Sequence, residues 1–407
     1  MRILEINSVL KGSTGRISIQ IAENAKRKGH EVCICVPKGR HNNADECRDA
    51  YCFGSRLSED SHLLLSRITG LNGYFSFFGT MDLLKKINRF KPDIIHLHNL
   101  HNSYVNLPML FSYIKRKHIP VVWTLHDCWA FTGKCPHFTI VNCNKWKTGC
   151  FKCERYKQYP KAYFDMTRFL WKDKKKMFSN IARMTIVTPS KWLANLVRQS
   201  FLQDYPVKVI NNGIDLSVFK PTNSDLKHKL FLDDFRIVLG VASAWGRAKG
   251  LDIFYMLAKD LPPYIRIVLV GLDSSKIADF PANVLAIRRT DNQEQLAEFY
   301  SMADVFVNPT LEDNFPTVNL EALACGTPVI TFCTGGSPEP IDNKTGCVIP
   351  YNDYPALMNE VMHVITDSPF SPSDCVEKAG QYDKNRMFEE YIDLYENCAC
   401  SSKRSIQ

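Results

Sequence analysis

Short runs of apolar, often β-branched residues alternate along the chain with stretches in which apolar residues recur at helical spacing. This alternation predicts parallel strands joined by helices that cover both faces of a sheet. In the first half, the predicted strands are Arg2–Val9, Glu31–Val36, Asp93–His98, Val121–Leu125 and Met184–Val187. The predicted helices there are Ser18–Lys28, Met81–Phe90 and Ser190–Phe201.

The same rhythm starts again at Arg236, after a strand and turn at Val207–Asp215. The predicted strands of this second series are Arg236–Ala242, Arg266–Val270, Val284–Ile287, Asp304–Asn308 and Pro328–Phe332. Its helices are Leu251–Lys259, Gln293–Ser301 and Thr317–Ala324. We therefore expect two doubly wound α/β domains, 1–205 and 206–380, followed by a helix and tail over 381–407.

Length and composition agree with two globular domains. The chain has 407 residues, more than one hydrophobic core usually serves, with 45% hydrophobic and 23% charged residues. These values exclude disordered, collagen-like and coiled-coil proteins. The net charge of +9 is concentrated, because Lys115–Lys176 alone carries +11. Such a stretch indicates nucleic acid, a membrane surface or an anionic substrate as partner.

Two features of the first half are candidates for ligand contact. Gly12 and Gly15 lie in a loop directly after the first strand, where glycines let a backbone approach a ligand and a helix start favours an anion. A simple tight turn explains this loop equally well. His126 ends a predicted strand and is a candidate for holding a hydroxyl or a phosphate, the alternative being a histidine satisfied by nearby backbone. His96 and His98 also end a strand and are interpreted as structural.

The second half carries two more candidate segments. Arg247 and Lys249 lie in a glycine-containing loop after a strand, an arrangement that suits a diphosphate, although a solvated turn is an equal alternative. Asp313 precedes a predicted helix and Glu321 lies just over a turn inside it. Two carboxylates at this spacing suit a polyhydroxylated ligand, and the helix start suits phosphate oxygens. The alternative is a pair of ordinary solvated acids.

These motifs together resemble the retaining glycosyltransferases of family 4, which have the GT-B fold. The most specific part is Asp313–Gly336, similar to the family's Glu-x7-Glu motif, its Ala-x-x-x-Gly-x-Pro-Val segment and a Gly-Gly turn. Asn212–Asp215 resembles the interdomain signature, and Leu125–Gly133 resembles the colanic-acid and exopolysaccharide branch. The fold so implied is two Rossmann-like parallel-sheet domains facing across a cleft, with a C-terminal helix crossing back to the N-terminal domain.

The resemblance implies that the C-terminal domain binds a nucleotide-sugar donor and the N-terminal domain the acceptor. Glu321 would bind the ribose hydroxyls and Asp313 the sugar hydroxyls. The segment implied to lie near sugar and phosphate is Asn314, Phe315, Pro316 and Thr317. In the same way, Lys249 and Arg247 would hold the diphosphate, Gly12 and Gly15 would admit it, and His126 would lie near the anomeric carbon.

Two departures from the family pattern concern the donor motifs. Asp313 and Asn314 stand where the family usually has Glu and Gly, and Arg247 is closer to Lys249 than the family's Arg to its Lys, which makes Lys249 the stronger candidate. No Asp-x-Asp occurs in the chain, which fits a transferase that requires no metal cofactor for catalysis and stabilises the departing diphosphate with Lys and helix N-termini. The resemblance implies retention by front-face attack.

Cysteine usage suggests one further site. Of 15 cysteines, most are expected to be reduced and buried, but a Cys-rich insertion over 128–155 stands apart. The candidate ligands of a structural zinc ion there are Cys135, Cys143, Cys150 and Cys153, with His137 in reserve. Reduced thiols or a redox pair are the alternatives.

The basic stretch 115–176 leads to a membrane hypothesis. Arg168–Phe178 interleaves aromatic residues with cations, as an interfacial helix does, although an ordinary helix with a solvated basic face is equally compatible. The family branch generally uses a polyprenyl-diphosphate-linked glycan acceptor. Because Met1 leads almost directly into a strand without a signal-like segment, we expect a cytoplasmic enzyme, peripheral on the inner face of the membrane.

The sequence thus predicts a retaining, metal-independent hexosyltransferase that uses a UDP- or GDP-sugar and a lipid-linked oligosaccharide in bacterial surface polysaccharide (O-antigen or capsule) biosynthesis. A GT-B nucleotide-sugar 2-epimerase and a non-catalytic sugar-nucleotide-binding homologue are the alternatives. Nucleic acid is not an expected partner, because the basic stretch lies inside a transferase-like domain.

Overall fold

Parallel β-sheets organise the computed structural model, which describes residues 1–39, 42, 47–273, 277 and 280–404, with side chains described up to Ala399. The chain divides into two compact units. The first comprises Met1–Phe138, Asn142–Asn211 and Met387–Gln407, and the second comprises Thr139–Val141 and Asn212–Arg386.

The first unit contains a parallel sheet of seven described strands in the order β3-β2-β1-β4-β5-β6-β7. The strands are β1 (Arg2–Ile6), β2 (Glu31–Pro37), β3 (Ala50–Phe53), β4 (Ile94–Leu97), β5 (Val121–Thr124), β6 (Met184–Thr188) and β7 (Val207–Val209). The helices are α1 (Gly12–Arg27), α2 (Arg56–Thr69), α3 (Phe77–Phe90), α4 (Leu107–Lys117), α5 (Thr167–Phe178) and α6 (Lys191–Val197). Because β7 pairs with β6, the first unit continues to Asn211, beyond the predicted boundary at 205.

The second unit contains a parallel sheet of six described strands in the order β10-β9-β8-β11-β12-β13. The strands are β8 (Arg236–Val241), β9 (Ile265–Val270), β10 (Val284–Ile287), β11 (Val305–Asn308), β12 (Val329–Phe332) and β13 (Gly346–Ile349). The helices are α7 (Leu226–Lys229), α8 (Leu251–Asp260), α9 (Gln293–Ser301), α10 (Thr317–Ala324), α11 (Tyr354–Asp367) and α12 (Pro372–Gly380). Two parallel α/β units confirm the predicted fold class.

The apolar pattern of the sequence predicts every central strand but not β3, β13 and several helices. β3 is four residues long and β13 begins at Gly346, so neither offers a long β-branched run. Helix α2 carries exposed leucines on its outer side, which obscures the usual one-sided periodicity. None of the described helices combines the length and apolar composition needed to cross a membrane.

The last helix, α13 (Lys384–Arg404), covers one face of the first sheet with its residues from Met387 onward. Phe388, Tyr391 and Tyr395 are buried in the core layer that also contains apolar residues of β1, β2, β4 and β5. The hydroxyl of Tyr395 lies 2.6 Å from His96 Nδ1, and that of Tyr391 lies 3.2 Å from Thr124 Oγ1. The helix is therefore attached to the sheet by both apolar packing and hydrogen bonds.

This attachment predicts a large stability loss when the aromatic ring of Tyr395 is removed. Tyr395→Ala leaves a cavity and an imidazole without its partner, so we expect the free energy of unfolding to fall by about 3–5 kcal/mol. Asp393→Ala, an exposed position on the same helix, is the matched control and should change little. Thermal unfolding followed by circular dichroism measures both, and equal melting temperatures would contradict the packing described.

Candidate functional site

Loops that follow three adjacent strands of the second sheet bring the predicted donor residues together. β8, β11 and β12 are neighbours, and the chain leaves each of them at the same edge because the strands are parallel. The segments after them contain Lys249, Asp313 and Gly335 respectively. Residues almost 90 positions apart therefore meet at the carboxyl edge, where α/β sheets bind ligands.

Lys249 and Asp313 form an ion pair at this edge. Lys249 Nζ lies 2.5 Å from Asp313 Oδ2, and the two side chains are 37% and 18% exposed. Asp313 Oδ1 accepts a hydrogen bond from the Asn314 backbone N–H at 2.9 Å. The pair is thus oriented by its own loop while its outer side is open to solvent.

Backbone contacts fix these loops against each other. The carbonyl of Ala248 accepts hydrogen bonds from the Leu311 N–H at 2.9 Å and the Thr310 hydroxyl at 3.1 Å. Gly335 has φ +55°, and a Cβ there would lie 1.7 Å from the Asp313 carbonyl oxygen. Only glycine fits so close an approach, which gives the Gly-Gly turn noted in the sequence a steric reason.

Glu321 occupies a separate, buried position in α10. The side chain is 6% exposed, and its Oε2 accepts a hydrogen bond from the Tyr300 hydroxyl at 2.9 Å. Burial and the nearby Glu321 carboxylate raise the pKa of Tyr300 well above its usual range, so the phenol remains a donor. The sequence does not single out Tyr300, because an aromatic residue at this position fits the apolar pattern of α9.

The segment between the two carboxylates is mostly inside the unit. Asn314, Phe315 and Pro316 are buried, and the Phe315 carbonyl accepts a hydrogen bond from Asn212 Nδ2 at 3.3 Å. Thr317 begins α10 and is half-buried. This places the start of α10 beside the loop that carries Asp313.

A buried amide network holds α10 in place. Asn319 Oδ1 accepts from Asn308 Nδ2 at 2.7 Å, and Asn319 Nδ2 donates to the Ser337 carbonyl and hydroxyl, both at 3.0 Å. The network ties β11, α10 and the loop after β12 together. Asn308 and Asn319 were not singled out in the sequence, since an isolated Asn gives no pattern signal.

Arg247 takes no part in the ion pair between Lys249 and Asp313. It is exposed, and its charge acts on Tyr351, whose pKa is raised by burial and by Glu312 and lowered in part by Arg247. Lys249 is therefore the cation that the structure brings to Asp313.

The predicted glycine loop of the first unit is the opening turn of α1. The helix begins at Gly12, which has φ +74°. A Cβ on Gly15 would lie 2.3 Å from the carbonyl carbon and oxygen of Leu10. Gly15 is thus required by local packing, whatever else it contacts.

His126 follows β5 and stacks on His98, with ring centroids 5.4 Å apart and planes at 16°. His126 Nε2 lies 3.1 Å from His98 Nδ1. Burial, followed by the neighbouring His98, lowers the pKa of His126 to about 3, so the ring is neutral at physiological pH. Asp127 follows His126 in the chain. Burial raises the pKa of Asp127, but the contact with His101 at 2.9 Å outweighs burial, and the pKa of this carboxyl is lowered to about 2.

The Cys-rich insertion brings its thiols only partly together. Cys135 and Cys153 share a hydrogen bond, and Cys150 Sγ accepts from the Gly133 N–H at 3.1 Å. Among the described residues, the three-residue group with metal-ligand spacing is formed elsewhere, by a glutamate and two histidines of the first sheet. Thiolates suit zinc chemically, but the thiols of Cys135, Cys143, Cys150 and Cys153 are not placed together as one ligand set. The zinc site stays a prediction.

The basic stretch is less uniform than its sequence implies. Lys174 is buried, with Nζ 3.5 Å from the Trp129 ring centroid and 2.8 Å from the Trp129 carbonyl, and Lys134 is also buried. In α5, Leu170, Trp171 and Phe178 face the core. Trp171 and Phe178 are therefore not available for an interfacial face, because they belong to the hydrophobic core of the first unit, whereas Phe169 is exposed.

Other cations of the stretch remain at the surface. Lys115, Arg116 and Lys176 line a cavity of about 550 Å³ between α4 and α5, with Pro108 and Phe111 on its wall. Lys115 Nζ also donates to the Lys176 carbonyl at 3.1 Å.

Buried imidazoles make the stability of the first unit depend on pH. Burial lowers the pKa of His62, His98 and His126 to about 3 each, and that of His96 well below its usual value. Their contribution is full above the unfolded pKa of about 6.5 and is lost as pH falls, by about 1.4 kcal/mol per pH unit for each imidazole. Burial raises the pKa of Glu5 to about 8, so this carboxyl is protonated in the folded state before it is in the unfolded chain as pH falls. This opposite effect offsets the stability loss from one imidazole.

We therefore expect the melting temperature of the first unit to fall steadily between pH 7 and pH 5. Differential scanning calorimetry at pH 7, 6 and 5 measures this. A melting temperature that stays constant over that interval would mean that the imidazoles are not held neutral.

Comparison with known proteins assigns the chain to a family. A model of Glycosyltransferase Family 4 matches residues 14–218, half of the chain, and a model of Glycosyl transferases group 1 matches residues 236–367. WcaC of Escherichia coli (strain K12), named as a colanic acid biosynthesis glycosyl transferase, is 24% identical over 98% of this chain and 100% of its own. The alpha-maltose-1-phosphate synthase of Mycolicibacterium smegmatis is 27% identical over 48% of this chain and 57% of its own.

Solved structures agree on the fold. Sucrose-phosphate synthase from Thermosynechococcus elongatus superposes with a TM-score of 0.74 at 18% identity, over 98% of this chain and 99% of its own. The Anabaena protein HepE, solved in complex with UDP, gives a TM-score of 0.69 at 16% identity, over 98% of this chain and 100% of its own. The chain belongs to Glycosyltransferase Family 4 and is a glycosyltransferase of the GT-B type.

Proposed function

We propose that the chain is a retaining, metal-independent hexosyltransferase that takes its sugar from a UDP- or GDP-hexose. The observation that carries this proposal is the Lys249–Asp313 pair at the carboxyl edge of the second sheet, beside Gly335 and the start of α10. HepE, a structural neighbour, has been solved with UDP-glucose, which favours a uridine over a guanosine nucleotide in this proposal.

The donor would be recognised by three kinds of group. The Lys249 ammonium attracts the diphosphate, Asp313 accepts hydrogen bonds from sugar hydroxyls, and Glu321 accepts from the ribose. Tyr300 holds one oxygen of Glu321, which fixes the direction of the carboxylate. Pro316, the N-cap of α10, gives no side-chain cap, which leaves first-turn N–H groups for phosphate oxygens.

Departure of the nucleotide is the step that these groups would assist. As the anomeric carbon–oxygen bond breaks, negative charge grows on the diphosphate, and Lys249 with the N-terminus of α10 stabilises it. The leaving phosphate takes the proton of the acceptor hydroxyl as that hydroxyl attacks the same face, so configuration is retained. A catalytic role is also proposed for His126, the neutral imidazole that follows β5 of the first unit.

Replacing Lys249 tests this role directly. Lys249→Ala should lower kcat for sugar transfer, or for donor hydrolysis, by about 100-fold or more, because developing charge on the diphosphate loses its cation. Lys344→Ala, an exposed lysine of the same unit, is the matched control and should retain full activity. Chromatography of released nucleotide with a panel of UDP- and GDP-sugars is the measurement, and normal turnover by Lys249→Ala would refute the assignment.

The acceptor is proposed to be a lipid-linked oligosaccharide of bacterial surface polysaccharide biosynthesis. Similarity to WcaC over the whole chain supports this class. The first unit also exposes apolar side chains that a membrane surface would cover, among them Leu57 at 76% and Phe78 at 81% exposure. The exposed apolar residues of α2, α3 and the segment before and within α5 are Leu57, Leu63, Leu64, Leu65, Ile68, Phe77, Phe78, Met81, Tyr163, Phe164 and Phe169.

These residues form one region, which we name the apolar face. The Tyr163 N–H donates to the Arg67 carbonyl at 2.8 Å, which joins the segment before α5 to the end of α2, and Tyr74 contacts Phe169 with centroids 6.0 Å apart. Lys115 and Lys176 lie on α4 and α5 of the same unit. Exposed aromatics together with cations on the same unit suit peripheral binding to anionic lipid on the cytoplasmic side of the inner membrane.

A single acidic residue in the apolar face should weaken membrane binding. Phe78→Asp should sediment less with phosphatidylcholine vesicles that contain phosphatidylglycerol, because burying the new carboxylate among lipid chains is unfavourable. Phe231→Asp, equally exposed at 86% but in the second unit, is the control and should bind like the wild type. Wild-type protein that fails to sediment even at low ionic strength would remove the membrane proposal.

A further inference from the structure

Glu5 is a carboxylate inside the first sheet that the proposed reaction does not use. The residue is fully buried on β1 and lies opposite His96 of β4. Its Oε2 accepts from the Ser18 hydroxyl at 2.5 Å, whereas no described group hydrogen-bonds its Oε1. A buried carboxyl with one oxygen unpaired is costly and calls for a specific use.

A row of polar groups leads from Glu5 to the end of β5. Glu5 Oε2 lies 3.4 Å from His98 Nε2, and His98 Nδ1 lies 3.1 Å from His126 Nε2. His98 and Glu5 have no side-chain exposure. Within the first unit, His126 is therefore backed by an imidazole and then by a carboxyl, one imidazole more than in active sites where a carboxylate orients a histidine directly.

His96 lies beside this row, and its nitrogens do not bond to Glu5, His98 or His126. Its ring lies 4.0 Å from that of His98, while its nitrogens contact the Thr124 hydroxyl at 2.8 Å and the Tyr395 hydroxyl at 2.6 Å. Both nitrogens are thus occupied. Glu5, His96 and His98 have ligand atoms within 4.8 Å of one another, so a bound metal ion is the competing interpretation.

We propose that Glu5 and His98 are positioning residues that decide which ring nitrogen of His126 carries the proton. This inference rests on the proposed function, in which His126 has a catalytic role. With Glu5 protonated, its hydroxyl faces His98 Nε2 across a 3.4 Å contact, His98 Nδ1–H donates to His126 Nε2, and His126 carries its proton on Nδ1. His126 then presents a hydrogen-bond donor.

Burial favours the protonated form of Glu5, since it raises the pKa of this carboxyl to about 8. The other titratable groups that face the row are His96, His101, Asp127, Tyr391 and Tyr395.

Nitrogen NMR of ¹⁵N-histidine-labelled protein tests the proposal without any substrate. In the wild type, His126 should be a single neutral tautomer with the proton on Nδ1, whereas free imidazole side chains in water prefer Nε2. Glu5→Gln should keep this tautomer because the amide still donates to His98, and Glu5→Met should convert it to a mixture. His62, a buried imidazole on Ser76 Oγ, is the internal reference and should not change.

Turnover supplies the second readout. Glu5→Gln still offers a donor to His98 and should retain most of kcat, whereas Glu5→Met should lower kcat about 10-fold with little change in KM. Glu23→Gln, an exposed glutamate of α1, is the matched control. Absence of sugar transfer in the wild type would refute the proposed function, while the tautomer of His126 would still report on the row.

Three results would overturn the proposal. They are a wild-type His126 protonated on Nε2, an unchanged His126 tautomer in Glu5→Met, and a stoichiometric metal ion in the purified protein that is lost in Glu5→Gln. The first of these needs no variant, so the proposal remains testable even if Glu5→Met does not fold.

Discussion

The constraint on which both units depend is that neighbouring strands are parallel. Such strands cannot be joined by hairpins, so the chain must cross over after each one, and every crossover leaves the sheet at the same edge. Segments distant in sequence, such as those containing Lys249 and Asp313, therefore meet because their strands are neighbours. Backbone topology fixes the place of the site, and loop chemistry decides what is bound there.

Much of this could be predicted from sequence, because central parallel strands are buried on both faces and read as apolar runs. Lys249, Asp313 and Glu321 are candidates because their spacing relative to a strand end or helix start carries chemical meaning, and the structure brings Lys249 and Asp313 into contact. Tyr300 could not be found, since its aromatic ring satisfies the helical pattern and only the fold brings its hydroxyl to Glu321.

Lys174 illustrates the opposite error. In the sequence it is one of three consecutive lysines, and charge patterning predicts that all of them are solvated. In the structure it turns inward to the Trp129 ring and two backbone carbonyls, because α5 packs its apolar side on the first core. A lysine beside buried aromatic residues can be placed only when its helix has been oriented.

The two candidate regions use charge in different ways. The Lys249–Asp313 pair is partly exposed, and such pairs are worth about 0–1 kcal/mol, so little would be lost if Lys249 exchanged its carboxylate for a phosphate, as proposed. Glu5 and His98 are fully buried, where any rearrangement of protons changes the energy strongly. An exchangeable ion pair suits binding and release of a charged donor, whereas a buried row suits a histidine whose orientation and tautomer must not vary.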